Sequence, residues 1–219
     1  MALQKDKIAR LPLFMGLSEI DLDRISSELS FSIHHHKKGA VIAEAGKVCS
    51  GLITVTIGQV ACETISDDHS YRVVEEIHNI HTIEPNKLFG LQLRYASTYH
   101  ALTSCETIEI SKEGLLELLS TNFIVRLNYL NMLCRNSQTT EHNPWKACPP
   151  NLEGRIVQFV KNRVKHPAGS KTIYITMKRL ANELCTSRLE VSIALNNLAN
   201  QERIILKRGI IEIPALQLL

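Results

Sequence analysis

The stretch from Ile175 to Ile213 constrains the chain most. Met177, Leu180, Ala181 and Leu184 recur at i, i+3, i+4 and i+7, which makes one apolar face of a short helix. Thr176 stands before it as an N-cap. After the break Cys185-Thr186, Ser187 and Glu190 have the spacing of a capping box, in which each side chain satisfies a free backbone N–H of the first turn. Val191, Ala194, Leu195 and Leu198 then repeat the apolar spacing. Helices joined by so short a break cannot lie antiparallel along their length, so they must cross steeply, as in a helix-turn-helix. Ile204-Ile205-Leu206, the tip Lys207-Arg208-Gly209 and Ile210 to Ile213 read as a β-hairpin ended by Pro214. Helix, turn, helix and hairpin make the winged form of the motif. The spacing sets Arg188, Leu189, Ser192, Ile193 and Asn196 on the outward side of the second helix, with Lys207 and Arg208 at the wing tip for phosphates. Two short amphipathic helices also occur in purely structural helical domains, which is the competing reading at this point.

The charge distribution favours nucleic acid. The net charge of the 219 residues is +3, unevenly spread. Residues 145–219 carry 12 Lys/Arg against 5 Asp/Glu, whereas residues 1–144 carry 13 against 17. A basic C-terminal third beside an acidic remainder suits a DNA-binding domain tied to one that does not bind DNA. Charged residues at 21% exclude a disordered composition, and no apolar run approaches membrane-spanning length. Met1 to Pro12 lacks the apolar core of a signal peptide, so a cytoplasmic protein with no membrane partner is expected. The six cysteines, at 49, 62, 105, 134, 148 and 185, have no metal spacing and read as reduced thiols.

In chain order, residues 3–29 read as helix, broken at Leu11-Pro12-Leu13-Phe14 and restarted by the cap Ser18. From Phe31 to Ile110, short Val/Ile/Thr-rich runs alternate with Gly, Asn and Asp breaks, the pattern of an antiparallel jelly roll. Within it His34 and His36 share a strand face. A metal site would need a third ligand, for which only His78, His81 or His100 can be named, so surface histidines and no metal are expected. A short helix covers Lys112 to Leu119, and a longer one runs from about Asn122 to Thr139. Its residues Phe123, Leu127, Leu130, Cys134 and Ser137 step by 4, 3, 4 and 3, an a/d seam for a homodimer or a face lying on its own sheet. His142 to Pro150 reads as a stiff linker, and a helix capped by Asn151 runs through about Lys165. The expected fold is α+β. Its parts are a jelly-roll sensor at 1–120, a dimerisation helix at 121–143 and a winged helix-turn-helix at 144–219.

This layout resembles the Crp/Fnr family of bacterial transcription regulators over nearly the whole chain. The resemblance is carried by Ile175-Thr176, Leu180-Ala181, Leu184, Ser187-Arg188, Val191, Ala194-Leu195, Leu198, Ile204-Ile205 and Gly209, and in the middle by Phe89-Gly90 and Cys105 to Ser111. It implies a homodimer that binds double-stranded DNA, a small-molecule effector in the jelly roll, and RNA polymerase as a partner. It places the effector pocket at Phe89, Gly90, Gln92, Arg94 and Tyr95. There are departures. Leu91 stands where cyclic-nucleotide binders of the family have Glu, and Tyr95 where they have the phosphate-pairing Arg, with Arg94 one position off. A buried phosphate without a bidentate cation is poorly compensated, so an effector other than cyclic nucleotide, or none, is expected. After Ser187-Arg188 the family often has Glu and, four residues later, Arg; this chain has Leu189 and Ile193. Cys185 replaces the usual glycine of the turn.

The combined expectation is a Crp/Fnr-type regulator, without enzymatic activity or cofactor. Thr176, Lys178, Lys207 and Arg208 would hold phosphates and Ser187 would open the reading helix. Arg188 would read guanine O6/N7, and Leu189 and Ile193 would contact thymine methyls. Two alternatives stay open: a small-molecule sensor or partner-docking dimer with decayed DNA reading, and a jelly-roll metalloenzyme using His34 and His36.

Overall fold

Proline and capping residues divide the N-terminal helical stretch into α1 (Ala2–Ala9), a 3-10 turn at Pro12–Phe14 and α2 (Glu19–Glu28). Ser18 opens α2 by accepting the Asp21 amide at 3.1 Å. The computed structural model describes residues 2–141, 145 and 147–219, so the linker expected at His142 to Pro150, with the boundary at residue 144, falls partly outside them.

Eight strands follow: β1 (Ser32–His36), β2 (Val41–Ala43), β3 (Gly51–Ile57), β4 (Val60–Ile65), β5 (Arg72–Ile77), β6 (His81–Thr82), β7 (Thr98–Ala101) and β8 (Cys105–Ser111). Then come α3 (Lys112–Thr121), α4 (Phe123–Glu141), α5 (Leu152–Lys161), β9 (Lys171–Tyr174), α6 (Met177–Glu183), α7 (Arg188–Asn200), β10 (Ile205–Lys207) and β11 (Ile210–Ile213). The chain is α+β, with a jelly-roll-like body and a C-terminal winged helical body. By its contacts it divides into Met1–Val60 with His78–Glu141, and Ala61–Ile77 with His142–Leu219.

In the first unit β1, β8, β3 and β6 form an antiparallel sheet in that order, and β2 pairs with β7. Leu52 pairs with Ile110 and Thr54 with Ile108, and all four are buried. Ile8, Leu11 and Phe14 from the N-terminal turns and Leu115 and Leu118 from α3 are also buried. The inner face of α4 carries Val125 and Tyr129, with the Tyr129 hydroxyl donating to the Pro85 carbonyl at 2.8 Å. Asn128 Nδ2 donates to the carbonyls of Leu13 and Met15, at 3.0 and 2.8 Å, which ties α4 to the N-terminal turns.

The second unit departs from a linear division of the chain. Its sheet runs β10, β11, β9, β5, β4, so a hairpin from residues 61–77 completes a sheet otherwise made by the last third of the chain. Arg72, Val73, Val74 and Glu75 pair with Tyr174, Ile173, Thr172 and Lys171. Val73 joins Ile156, Phe159, Ile173, Leu180, Leu195 and Leu198 in one apolar core.

Helix α5 stops at Lys161, four residues before the expected end. The reason is Glu75, which is 1% exposed and accepts the amides of Lys165 at 2.8 Å and His166 at 2.9 Å. Burial alone would raise the Glu75 pKa. Hydrogen bonds from His166 and from the Lys165 and His166 amides outweigh it and hold the carboxyl below its ordinary value. Lys171 Nζ, fully buried, donates to the Ala168 carbonyl at 2.7 Å and lies 3.5 Å from Glu75. The buried charge is therefore compensated.

Candidate nucleic-acid interface

Helix α7 and the helix before it are built by their caps. Thr176 Oγ1 accepts the Arg179 amide at 3.1 Å and starts α6. Ser187 Oγ accepts the Glu190 amide at 3.2 Å, and the Glu190 carboxylate accepts the Ser187 amide at 3.0 Å, which is the capping box at the head of α7. Thr186 Oγ1 also donates to Glu190, at 2.6 Å. The hydrogen bonds from Thr186 and Ser187 lower the Glu190 pKa to about 2. Sequence spacing alone did not single out Thr186; a hydroxyl beside the Ser-x-x-Glu box was the available signal.

Between the helices Cys185 adopts φ +48°, the left-handed conformation that a glycine would take without strain. Its amide hydrogen-bonds the Asn182 carbonyl, and that of Thr186 the Ala181 carbonyl. Arg155 on α5 donates to the Leu184 carbonyl and ties the end of α6. Val191, Ala194, Leu195 and Leu198 are buried, so α7 turns one face inward.

On the opposite face Arg188, Leu189, Ile193 and Asn196 are exposed and Ser192 is half-buried. Leu189 is 70% and Ile193 54% exposed, so more than half of each of these apolar residues stays open to solvent. Asn196 Nδ2 donates to the Ser192 carbonyl at 2.8 Å, which holds its amide along the helix. Lys178 is exposed on the first turn of α6. At the wing tip Gly209 takes φ +72°, which closes the turn between β10 and β11. Arg208 is exposed, whereas Lys207 Nζ pairs with Glu212 on the other wing strand. Of the two wing cations expected to meet phosphate, Lys207 is thus already partnered.

The expected effector residues, Phe89 to Tyr95, lie in the first unit. Phe89 packs edge-on against Tyr129, ring centroids 6.1 Å apart, with Lys112 Nζ 5.1 Å from its ring centre. Gly90 sits at φ +93° and the next residue, Leu91, is fully exposed. Gln92 Oε1 accepts from Lys87 Nζ at 3.1 Å. The Arg94 guanidinium donates to the Gly46 carbonyl at 2.7 Å. Tyr95 and Cys49 are both buried, and burial pushes both pKa values up. Nearby, Glu84 is buried and accepts the Ala96 amide at 2.7 Å.

Phe123, Leu127 and Leu130 are 70%, 45% and 50% exposed along α4, with Cys134 and Ser137 exposed beyond them. They lie away from the inward residues Val125 and Tyr129. On β1, the His34 and His36 rings are 6.3 Å apart. His34 Nε2 lies 3.4 Å from Glu109 and His36 Nε2 3.0 Å from Thr107 Oγ1. Among the described residues no group of three or more His, Cys, Asp or Glu side chains is placed to hold a metal ion, and no helix is long and apolar enough to cross a membrane.

No protein-family model and no curated protein sequence matches the chain. Solved structures do match its fold. The catabolite activator protein of Thermus thermophilus is 19% identical, with 92% of this chain and 93% of that one covered and a TM-score of 0.51. A protein of Eubacterium rectale described as a transcriptional regulator of the Crp/Fnr family is 21% identical, with 95% and 99% covered and a TM-score of 0.51. The sensor domain of the transcriptional regulator DNR from Pseudomonas aeruginosa is 19% identical, with 63% of this chain and 96% of that one covered, again at 0.51.

Proposed function

We propose that this chain, which has the Crp/Fnr-like fold, is a DNA-binding transcription regulator that works as a homodimer in the cytoplasm. One observation carries the reading. A helix capped at both Ser187 and Glu190 holds Arg188, Leu189, Ser192, Ile193 and Asn196 along the side opposite its buried face, in the basic part of the chain. Arg188 is long enough and charged enough to meet guanine O6 and N7 in the major groove. Leu189 and Ile193 make no hydrogen bonds to base edges and favour thymine methyls. Thr176, Lys178 and Arg208 hold phosphates; Lys207 does so only by giving up Glu212.

The exposed apolar row Phe123, Leu127 and Leu130 is the dimer seam. Two copies related by a twofold axis would present their reading helices to half-sites about 34 Å apart. An effector that favours one dimer arrangement would change that spacing and so the affinity. The effector is not a cyclic nucleotide. At the position of the family's phosphate-pairing arginine stands Tyr95, a buried neutral phenol, and the neighbouring Arg94 guanidinium donates to the Gly46 carbonyl. The chain acts on DNA and RNA polymerase without chemistry of its own.

Genome-wide footprinting of the native protein tests this reading. An inverted repeat under the bound sites supports a symmetric reader. Binding without sequence preference, unchanged by Arg188→Ala, favours instead a sensor or docking dimer whose DNA reading has decayed, which the exposed Leu189 and Ile193 would then serve.

A further inference from the structure

Helix α6 has seven residues, too short to hold its place by its own hydrogen bonds. Its first turn is held by a residue of the 61–77 hairpin, and its last residue by Arg163, which the hairpin contacts through Tyr71. On its first turn, Arg179 meets the Asp68 carboxylate at 2.9 Å. At its last residue, Glu183 accepts from Arg163 at 2.6 Å, and Arg163 Nε donates to the Tyr71 hydroxyl at 2.7 Å. The Arg163 guanidinium also lies 3.8 Å from the centre of the Phe159 ring, with Tyr71 packed on the same ring at 5.8 Å. Asp68 is set in advance: it accepts from the hydroxyls of Ser66 and Ser70 at 2.8 and 2.7 Å, and from the Ser70 amide at 3.1 Å. Behind these contacts, β5 is hydrogen-bonded along β9, and Glu75 anchors the turn after α5.

We infer that the 61–77 hairpin is a strap that sets the pose of the helix-turn-helix, with Asp68 and Tyr71 as its positioning residues. The inference rests on the DNA reading proposed above. Its physical content is leverage. The break Cys185-Thr186 joins α6 directly to α7, so whatever fixes both ends of α6 also fixes the direction in which Arg188 projects. With the strap seated, Arg188, Leu189, Ile193 and Asn196 remain exposed, so the seated form is the one that reads DNA. The strap is also the part of this unit whose covalent ends lie in the other: the chain enters it from Val60 and leaves it into His78.

The test uses the full chain with Val74→Cys and Thr172→Cys, two residues directly paired between β5 and β9, and separately the double variant D68N/Y71F. Peptide mapping after mild oxidation is expected to find a disulfide between positions 74 and 172. The oxidised protein is expected to bind a footprinted fragment within about twofold of the reduced one. D68N/Y71F is expected to bind about tenfold more weakly with an unchanged salt slope, because the slope counts phosphate contacts and not pose. Amide exchange in 171–174 is expected to quicken in the same variant. Failure of the disulfide to form, loss of binding on oxidation, or unchanged affinity and exchange in D68N/Y71F would each overturn the strap. If the wild-type chain binds no fragment, the DNA reading is what fails. The exchange of 171–174 then decides the strap alone: faster exchange in D68N/Y71F upholds it as the holder of this pose, and unchanged exchange overturns it.

Discussion

Ser187 and Glu190 satisfy each other's backbone amides across the first turn of α7, at 3.2 and 3.0 Å. Arg188 lies between them in sequence, so the cap fixes the residue on which the proposed recognition depends. Ser187→Ala leaves an amide of the first turn unpaired and is expected to cost about 1 kcal/mol in urea unfolding. The same variant should lose more in operator affinity than Thr186→Ala, which leaves the reciprocal box intact. Equal losses for the two would place the effect in general stability.

The same cap predicts an acid response. Hydrogen bonds from Thr186 and Ser187 hold the Glu190 pKa at about 2, against an ordinary value of 4.5. A carboxyl whose folded pKa is depressed stabilises the fold fully above the unfolded value, and that contribution fades as pH falls toward the folded one. The melting temperature of wild type should therefore exceed that of Glu190→Gln at about pH 6, and the gap should narrow between about pH 4.5 and about pH 2. A gap that stays constant over this range contradicts the assignment.

Leu189 and Ile193 give a chemical prediction. Contact with thymine methyls makes operator affinity sensitive to replacing thymine by uracil, by about 1 kcal/mol for a well-buried methyl. The double variant Leu189→Ala, Ile193→Ala should be indifferent to that replacement. Gel-shift titrations of the four combinations check it. Equal penalties for both proteins remove these residues from base reading.

The seam on α4 makes a prediction about assembly. Leu127→Glu with Leu130→Glu places charges where two apolar faces would meet, and sedimentation equilibrium should show monomers at concentrations where wild type is dimeric. Because both side chains are at least 45% exposed in the single chain, thermal unfolding of the monomer should change little. Unchanged mass would mean that this row lies outside the dimer interface.

Much of the C-terminal unit was legible in the sequence because its signals are local. The capping box, the apolar repeats of α6 and α7 and the glycine of the wing turn are all set by residues within a few positions of one another. The strand pattern of residues 71–74 was legible too, but not its partner. Alternation says that β5 is a strand; only the fold says that it pairs with β9, about a hundred positions away. The early end of α5 follows from that distant pairing, since Glu75 claims the amides of Lys165 and His166. The effector region was least legible. The Arg94 guanidinium turns to the Gly46 carbonyl while the adjacent Tyr95 is buried, a difference that the residue types alone do not set.

The most direct measurement is the affinity of wild type and Arg188→Ala for one footprinted operator and for the same fragment with its half-site guanines replaced, across a range of salt. Loss of the bidentate contact is expected to cost about 1–3 kcal/mol on the native operator and almost nothing on the replaced one, with the salt slope nearly preserved. Equal binding of both proteins to both fragments would contradict the claim that Arg188 reads DNA.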